Sequence, residues 1–321
     1  MNKIYNCDFL ENKLPDKCAK LIIADPPYFE IKGSFDFIWQ SFDDYLKDVE
    51  RWVIECKRVL ADNGTLFWWG DKKKIAYSQI ILDRFFNLEN SLIWQKTDSM
   101  QYQYYSPENA RTFNTHNERL LMYSNEIEKT GLQMILEQYI WDKNPFSIEI
   151  KKQMNLYGIT KKQLANKIIS RYKNINSAIA QVYNFILGKN IPIHEDWKKM
   201  NDILYFTTQY EDLRKQYEDK RRYFYNPNKL EEVLVFSQEG HLTKKYNHDT
   251  KKPETLTRHL ITICSRPGDL VIIPFCGSGT ECACSVMEGR NFISYEIEKK
   301  YVDIANNRVN EVLKCPRLFY E

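Results

Sequence analysis

The chain has 321 residues, of which 43% are hydrophobic and 28% are charged, and its formal net charge is +3. This length suffices for one large core with an added module or for two domains, and the composition is that of a globular protein. No segment approaches the apolar length of a membrane span, and the N-terminus lacks the apolar core of a signal peptide, so we expect a cytoplasmic protein. The eight cysteines show no paired C-x-x-C spacing, which disfavours a zinc site or a disulfide framework and predicts no metal.

The first part of the chain, residues 1 to about 125, alternates short apolar runs with helical patterns. Residues 21–24 have the pattern of a buried strand, and in residues 42–64 apolar side chains recur every three or four positions, as on one helix face. Asn63-Gly64 is predicted to close that helix, because glycine readily adopts the left-handed conformation of a helix end. Alternating strands and helices predict an α/β fold with a doubly wound, mostly parallel sheet.

The first predicted strand ends in the sequence D-P-P-Y, residues 25–28. Pro26 and Pro27 stop the strand because a proline fixes φ and supplies no N–H to the ladder, so Asp25 lies at the strand's carboxyl end. Ligands bind at this edge of open α/β sheets, which makes these residues candidates for chemistry. A plain strand-to-loop turn is the alternative interpretation, since Asp-Pro is common in turns.

The middle of the chain, residues 126–246, is helical, aromatic and lysine-rich, and is predicted to be a module inserted into the sheet. Within residues 148–204, two consecutive helical segments are typical of a helix-turn-helix, and Thr160 with Gln163 forms a T-x-x-Q capping box. A purely structural helical hairpin is the alternative interpretation.

The second helix of this motif would carry the base-reading side chains. Its inward stripe is predicted at Ile179, Val182 and Ile186. The face left for base edges carries Ser177, Gln181 and Asn184. Arg221 and Arg222 suit contacts with phosphate groups, and the alternative is that they lie on a solvated helix face.

The last part of the chain, residues 247–321, returns to alternating strands and helices. In V-I-I-P-F-C-G-S-G-T a strand leads into a glycine-containing loop and a helix, and the next strand ends at Glu296, nineteen residues after Gly277. The glycines let a ligand approach the backbone, and an acid at the strand tip can accept hydrogen bonds from ribose hydroxyls, so a nucleoside ligand is predicted. A dinucleotide fingerprint would need a third glycine at Cys282, and a tight turn is the alternative interpretation.

Three motifs together resemble those of the S-adenosylmethionine-dependent DNA amino-methyltransferases: D-P-P-Y at residues 25–28, P-F-C-G-S-G-T at residues 274–280 and Y-E-I-E at residues 295–298. The order, with the catalytic loop first and the glycine loop last, is similar to the circularly permuted β group of that family. The resemblance covers about residues 3–125 and 247–312. It implies a Rossmann-like methyltransferase fold, S-adenosylmethionine as cofactor, double-stranded DNA as partner, a homodimer, and transfer to N6 of a flipped-out adenine.

The resemblance also implies roles for individual residues. The Asp25 carboxylate and the Pro26 carbonyl would accept the two amino N–H groups, while Tyr28 would stack on the base. The implied catalytic residues are Asp25, Pro26, Pro27 and Tyr28. Glu296 would bind the ribose hydroxyls, and Asp8 would lie near the adenine edge of the cofactor. The implied cofactor-binding residues are Asp8, Phe9, Lys252, Pro253, Phe275, Cys276, Gly277, Ser278, Gly279, Thr280 and Glu296.

Two positions depart from the family pattern: Ile273 stands where Asp is usual, and Asp249 stands where Pro is usual. Ile273 removes a partner for the cofactor's ammonium group, so a DNA-binding regulator on an inactive scaffold is the alternative from another class. Cytosine-N4 transfer is the nearest alternative reaction, because the association of Asp25 with adenine is an imperfect rule. Methylation of protein glutamine uses a related Asn-Pro-Pro-Tyr loop, but that group places its glycine loop first.

Overall fold

The computed structural model describes residues 2–30, 38–97, 116–125, 144–239 and 251–314. The chain forms two compact units, one made of Met1–Ile127 with Arg222–Glu321 and the other of Glu128–Arg221. We call them the sheet unit and the helical unit. The predicted insert extended to residue 246, whereas residues 222–239 belong to the sheet unit, because they contain a strand of its sheet.

The sheet unit is built on a mostly parallel sheet with eight strands in its described residues. The strands are β1 (Asn2–Tyr5), β2 (Ala19–Ala24), β3 (Leu60–Gly70), β4 (Asn87–Lys96), β5 (Asn117–Ser124), β6 (Val233–Phe236), β7 (Leu270–Ile273) and β8 (Asn291–Tyr295). Their order across the sheet is β1-β8-β7-β2-β3-β5-β4-β6. Strand β5 runs antiparallel to its neighbours β3 and β4, and the other pairs are parallel.

Helices cover both faces of this sheet. The helices of the sheet unit are α1 (Phe42–Val59), α2 (Ile75–Leu82), α8 (Glu254–Cys264), α9 (Thr280–Met287) and α10 (Lys299–Lys314). Successive residues of β2 alternate between the two cores: Ile22 packs with α1, whereas Leu21 and Ile23 pack with α8, α9 and α10. A central strand buried on both faces needs a continuous apolar run, which explains the sequence of β2.

The predicted end of the first helix at Asn63-Gly64 is wrong. Helix α1 ends at Val59, and Leu60 already pairs with Ala19 of β2. The register then shifts, so that Leu21 pairs with Thr65, and Asn63-Gly64 lies in the irregular part of β3. Strand pairing with β2 begins at Leu60, directly after the helix. This pairing therefore outweighs the local preference of Asn63-Gly64 for a helix end.

The helical unit has its own apolar core. Its helices are α3 (Pro145–Tyr157), α4 (Lys161–Ile168), α5 (Ile175–Ile186), α6 (His194–Leu204) and α7 (Tyr210–Lys220). The predicted capping box at Thr160 and Gln163 is confirmed, with both reciprocal hydrogen bonds present at the start of α4. No helix in the described parts of the chain is long and apolar enough to cross a membrane.

The buried stripe of α5 differs from the predicted one by about one residue. Ala178, Val182 and Phe185 are buried, whereas Ile179 and Ile186 are only partly buried against the same core. Both stripes satisfy the helical period, so the sequence alone does not choose between them. Packing against the neighbouring helices decides which flank of the apolar face points inward.

Candidate active site

Side chains from four elements meet at one edge of the sheet. Asp25 follows the last residue of β2, and Trp69 stands next to the last residue of β3. Glu118 is the second residue of β5, and because this strand is antiparallel its first residues lie at the carboxyl edge of its neighbours. Lys252 precedes α8. The site is thus assembled at the edge where open α/β sheets bind ligands.

The carboxylate of Asp25 accepts hydrogen bonds on both oxygens. The Tyr28 hydroxyl donates to Oδ1 at 2.7 Å, and the Lys252 ammonium donates to Oδ2 at 2.7 Å. Burial, followed by the charge of Asp25, raises the pKa of Tyr28 well above its usual range, so this hydroxyl remains a neutral donor. Pro26, which lies between Asp25 and Tyr28 in sequence, is buried, and its packing holds the loop in place.

Lys252 lies at the centre of this charged cluster, with only 3% of its side chain exposed. Its Nζ atom is 3.3 Å from Oε2 of Glu118 and 4.8 Å from the centre of the Trp69 ring. Burial alone would lower the pKa of Lys252, but the charges of Asp25 and Glu118 outweigh it and raise the pKa above its usual range. The group is therefore an ammonium ion.

Glu118 contacts a second cation besides Lys252. Lys96, from β4, donates to Oε1 of Glu118 at 2.6 Å. Burial opposes ionisation of Glu118, but the charges of Lys252 and Lys96 outweigh it and lower the pKa of this carboxyl. Neither Glu118 nor Lys96 lies in a sequence motif, and only the positions of β4 and β5 in the sheet bring these residues to the site, so neither was predictable from the sequence.

Glu281 is a second acid of the site that was not predicted from the sequence. It lies in the first turn of α9 and is 6% exposed. Burial and then the charge of Asp25 raise its pKa to about 7. Its place directly after G-S-G-T was the one available signal, since the first turn of a helix after a glycine loop points towards the ligand edge.

The glycine loop between β7 and α9 is tied to the next strand through Glu296. The backbone N–H of Gly277 donates to Oε2 of Glu296 at 2.9 Å, and that of Glu298 donates to Oε1 at 2.8 Å. Gly277 and Gly279 have φ angles of +46° and +78°, which favour glycine. The structure therefore brings the loop and the predicted ribose-binding acid together.

Two predicted cofactor residues have structural roles in the described chain. Oδ1 of Asp8 accepts from the backbone N–H of Leu10 at 2.8 Å and so caps the short 3₁₀ helix Phe9–Glu11. Phe9 is 1% exposed and contacts Tyr295 edge-on. Asp8 therefore caps a turn and Phe9 lies in the core, and their roles in cofactor binding stay predictions.

The remaining predicted cofactor residues divide by burial. Phe275 and Gly277 are half-buried, as is Glu296, and Phe275 contacts Trp52 edge-on. The residues that are buried are Pro253, Cys276, Ser278, Gly279 and Thr280. Thr280 accepts from the guanidinium of Arg308 at 2.8 Å, which binds the loop to α10. The half-buried residues are thus the accessible part of the loop.

The predicted DNA-binding residues are divided between the two units. Ser177, Gln181 and Asn184 lie on α5, where Ser177 is exposed and the other two are half-buried. Arg221 ends the helical unit and pairs with Glu218 at 2.7 Å. Arg222 belongs to the sheet unit, where it pairs with Glu89 at 3.1 Å. The two consecutive arginines thus lie on either side of the unit boundary, each paired with a glutamate, and their contact with phosphate stays a prediction.

The remaining predictions concern a metal site and the two departures from the family pattern. In the ranges described above, no group of three or more His, Cys, Asp or Glu side chains could hold a metal ion. The departure at Asp249 lies outside the described residues. Ile273 is fully buried at the end of β7, within the core shared with α8, α9 and α10.

Two known proteins similar to this chain along most of its length are named as methyltransferases. The type II methyltransferase M.HinfI of Haemophilus influenzae is 25% identical, over 98% of this chain and 70% of that protein. The DNA adenine methyltransferase YhdJ of Escherichia coli strain K12 is 24% identical, over 93% of this chain and 78% of its own length.

Solved structures share the fold. The crystal structure of the M1.HpyAVI–SAM complex has a TM-score of 0.54 at 19% identity, covering 97% of this chain and 100% of its own. The cytosine-N4-specific PvuII DNA methyltransferase has a TM-score of 0.53 at 14% identity, covering 99% of this chain and 93% of its own. At these identities the likeness establishes the Rossmann-like methyltransferase fold.

The family itself follows from a match along almost the whole chain. The DNA methylase family model, which comprises N6- and N4-directed methyltransferases, matches residues 19–307. This range includes both the D-P-P-Y loop and the glycine loop. The methyl donor of the family is S-adenosylmethionine, and the residues present fit it, because a glycine loop and an acid at the next strand tip suit a nucleoside. The chain belongs to the S-adenosylmethionine-dependent DNA amino-methyltransferases.

Proposed function

We propose that this DNA methyltransferase acts on N6 of adenine. The observation that carries the proposal is the Asp25 carboxylate at the first position of the D-P-P-Y loop, bound by Tyr28 and by the Lys252 ammonium. A carboxylate can accept an N–H of the target amino group. This acceptor is valuable because the lone pair of adenine N6 is delocalised into the ring, and a hydrogen bond from the amino group restores part of its nucleophilicity.

The roles of the loop residues follow from this chemistry. Asp25 and the Pro26 carbonyl would accept the two amino N–H groups, and Tyr28 would stack on the base. Pro26 is buried and Pro27 half-buried, so both acceptors are held in position before the substrate arrives. A base inside a duplex cannot reach this edge, so the target adenine would be flipped out of the helix.

Methyl transfer needs little covalent chemistry from the protein. S-adenosylmethionine supplies the methyl group. The amino nitrogen would form a bond to the methyl carbon, and the electron pair of the broken carbon–sulfur bond would stay on sulfur. The nitrogen would lose one proton, which Asp25 would receive. We propose Phe275, Gly277 and Glu296 as the residues that hold the methyl donor, since they are the accessible part of the glycine loop and strand tip.

Product analysis tests the proposed base. Plasmid DNA from a methylation-free host that expresses the protein is digested to nucleosides, and N6-methyladenine is the expected product. The control is Asp25→Ala, which should lower the rate about 10²- to 10³-fold because it removes one polar catalytic interaction. N4-methylcytosine without N6-methyladenine would overturn the assignment, and undiminished turnover by Asp25→Ala would overturn the role of this carboxylate.

We further propose that the helical unit selects the DNA sequence through Ser177, Gln181 and Asn184 of α5. The support is the confirmed capping box of α4 and the position of these side chains near the surface of α5. Arg221 is the proposed phosphate contact of this unit. The homodimer stays a prediction, which light scattering of the purified protein would test.

A further inference from the structure

Asp25 is fixed by the protein itself. The side chains that hold it also touch each other, since Nζ of Lys252 is 3.4 Å from the hydroxyl of Tyr28. Each carboxylate oxygen has two lone pairs, so it can accept an amino N–H while keeping its internal hydrogen bond. The contacts to Tyr28 and Lys252 therefore fix the orientation of Asp25 without exhausting its capacity as an acceptor.

Lys252 is in turn fixed from the opposite side. Glu118 approaches its Nζ atom at 3.3 Å, and Lys96 binds Glu118 at 2.6 Å. The result is a row of alternating charges, Asp25, Lys252, Glu118 and Lys96, drawn from four separate segments of the sheet unit. Buried ion pairs contribute little net stability, because desolvation offsets their attraction. The row therefore calls for an explanation other than stability.

We propose that Lys252 is a positioning residue for methyl transfer, which keeps the Asp25 carboxylate oriented towards the target amino group, with Glu118 and Lys96 holding the ammonium in place. This inference rests on the proposed function only for the role of Asp25 as the acceptor. It replaces the expectation that Lys252 binds the cofactor. The two roles differ in a measurable way, because a positioning residue acts on the rate and a cofactor ligand acts on affinity.

The test compares Lys252→Met with Lys252→Arg, using single-turnover transfer of a labelled methyl group to DNA at one fixed pH. At saturating S-adenosylmethionine and DNA, Lys252→Met should slow transfer about 10²-fold, as expected when an electrostatic interaction at a catalytic site is removed. Calorimetry should give a dissociation constant for S-adenosylmethionine within about threefold of the wild-type value. Such a change does not affect the rate, because the rate is measured at saturating S-adenosylmethionine. Lys252→Arg, which retains the charge, should recover part of the rate.

The pair of substitutions separates positioning from simple packing. Methionine keeps much of the volume of lysine and removes its charge, whereas arginine retains the charge with a different shape. A rate that falls in Lys252→Met and recovers in Lys252→Arg therefore reports the ionic contact with Asp25 and not the filling of space.

Two further variants keep the test decisive if Lys252→Met fails to fold. Glu118→Gln retains Lys252 but removes the anion that holds its ammonium, so it should slow transfer at saturation, by less than Lys252→Met, and leave the affinity for S-adenosylmethionine unchanged. Lys251→Met is the matched control, since it removes a second buried lysine, next in sequence, on which the charges of Arg308, Glu254 and Glu239 act. Its rate at saturation should match that of the wild type.

Several outcomes would overturn the inference. Weaker binding of S-adenosylmethionine by Lys252→Met, with an unchanged saturated rate, would restore the cofactor role. Unchanged rates at saturation for both Lys252→Met and Glu118→Gln would leave the row a structural feature. The label reports transfer to any base, so methylation of cytosine would overturn the proposed function and leave this test intact. A wild-type protein that transfers no label would overturn both.

Discussion

At the scale of single residues, the site contains an acid whose burial is costly. Glu281 is 6% exposed, and burial with the nearby charge of Asp25 raises its pKa to about 7. The native protein therefore binds this proton more tightly than the unfolded chain does. The stabilisation that comes from this tighter proton binding is fully present below the ordinary glutamate pKa of 4.5. It is lost as the pH rises to about 7.

We expect Glu281→Gln to be more stable than the wild type at pH 8, because glutamine removes a buried charge. The gain should be at most roughly 3 kcal/mol at pH 8 and should shrink as the pH falls towards 5. Urea unfolding across this pH range measures it, and the exposed Glu211→Gln serves as the control for a change of charge. Parallel stability curves for Glu281→Gln and the wild type would contradict the buried, protonated state.

At the scale of elements, the glycine loop depends on close packing with α10. A Cβ atom on Gly279 would lie 2.6 Å from Cβ and 2.8 Å from Cα of Ala305, and the φ angle of Gly279 is +78°. Backbone cannot move aside as a flexible side chain can, so the clash must shift the loop or the helix. Arg308, also from α10, binds Thr280 at the start of α9. The position of α10 thus sets the shape of the loop.

Gly279→Ala should therefore destabilise the protein and weaken binding of S-adenosylmethionine. The matched control is Gly268→Ala, where φ is +86° but nothing lies within 4 Å of the added Cβ. The left-handed conformation alone should cost about 1–2 kcal/mol in both variants, and only Gly279→Ala should lose more and bind the cofactor less tightly. Chemical unfolding and calorimetry measure both effects. Equal losses in the two variants, with equal cofactor affinity, would contradict the packing argument.

At the scale of the whole molecule, chemistry and proposed target choice lie in separate compact units. The sheet unit contains Asp25, Lys252 and Glu296, whereas the helical unit contains α5. The helical unit has its own core, including Phe146, Leu164 and Trp197, so surface changes on α5 should leave the sheet unit intact. Substitutions in the two units should consequently produce separable defects.

Gln181→Ala with Asn184→Ala should change which DNA sequence is methylated while methyl transfer itself continues. Removing one side chain that reads a base edge should reduce discrimination at that base by about 1–3 kcal/mol. Long-read mapping of modified bases in a methylation-free host reports the sequence, the base and the strand together. Gln216→Ala, an exposed glutamine on α7, is the matched control. Retention of the wild-type motif and rate by the double variant would favour the structural interpretation of the helix pair.

The sequence by itself determined the parts of this protein that depend on local chemistry. Prolines end a strand wherever they follow it, so D-P-P-Y at the edge of the sheet was predictable, and the glycine loop with Glu296 followed from one strand–loop–helix pattern. The ordered motifs also sufficed for the family, which the match over residues 19–307 confirms.

Only the tertiary structure decided which distant charges meet at Asp25. Lys252 follows it by 227 residues in sequence, and Glu118 reaches the site because β5 runs antiparallel between β3 and β4. The pairing of Leu60 with β2 and the buried stripe of α5 were likewise set by neighbouring elements. Local periodicity specifies how a segment folds, whereas strand order and helix packing, which join segments far apart in sequence, specify what its side chains touch.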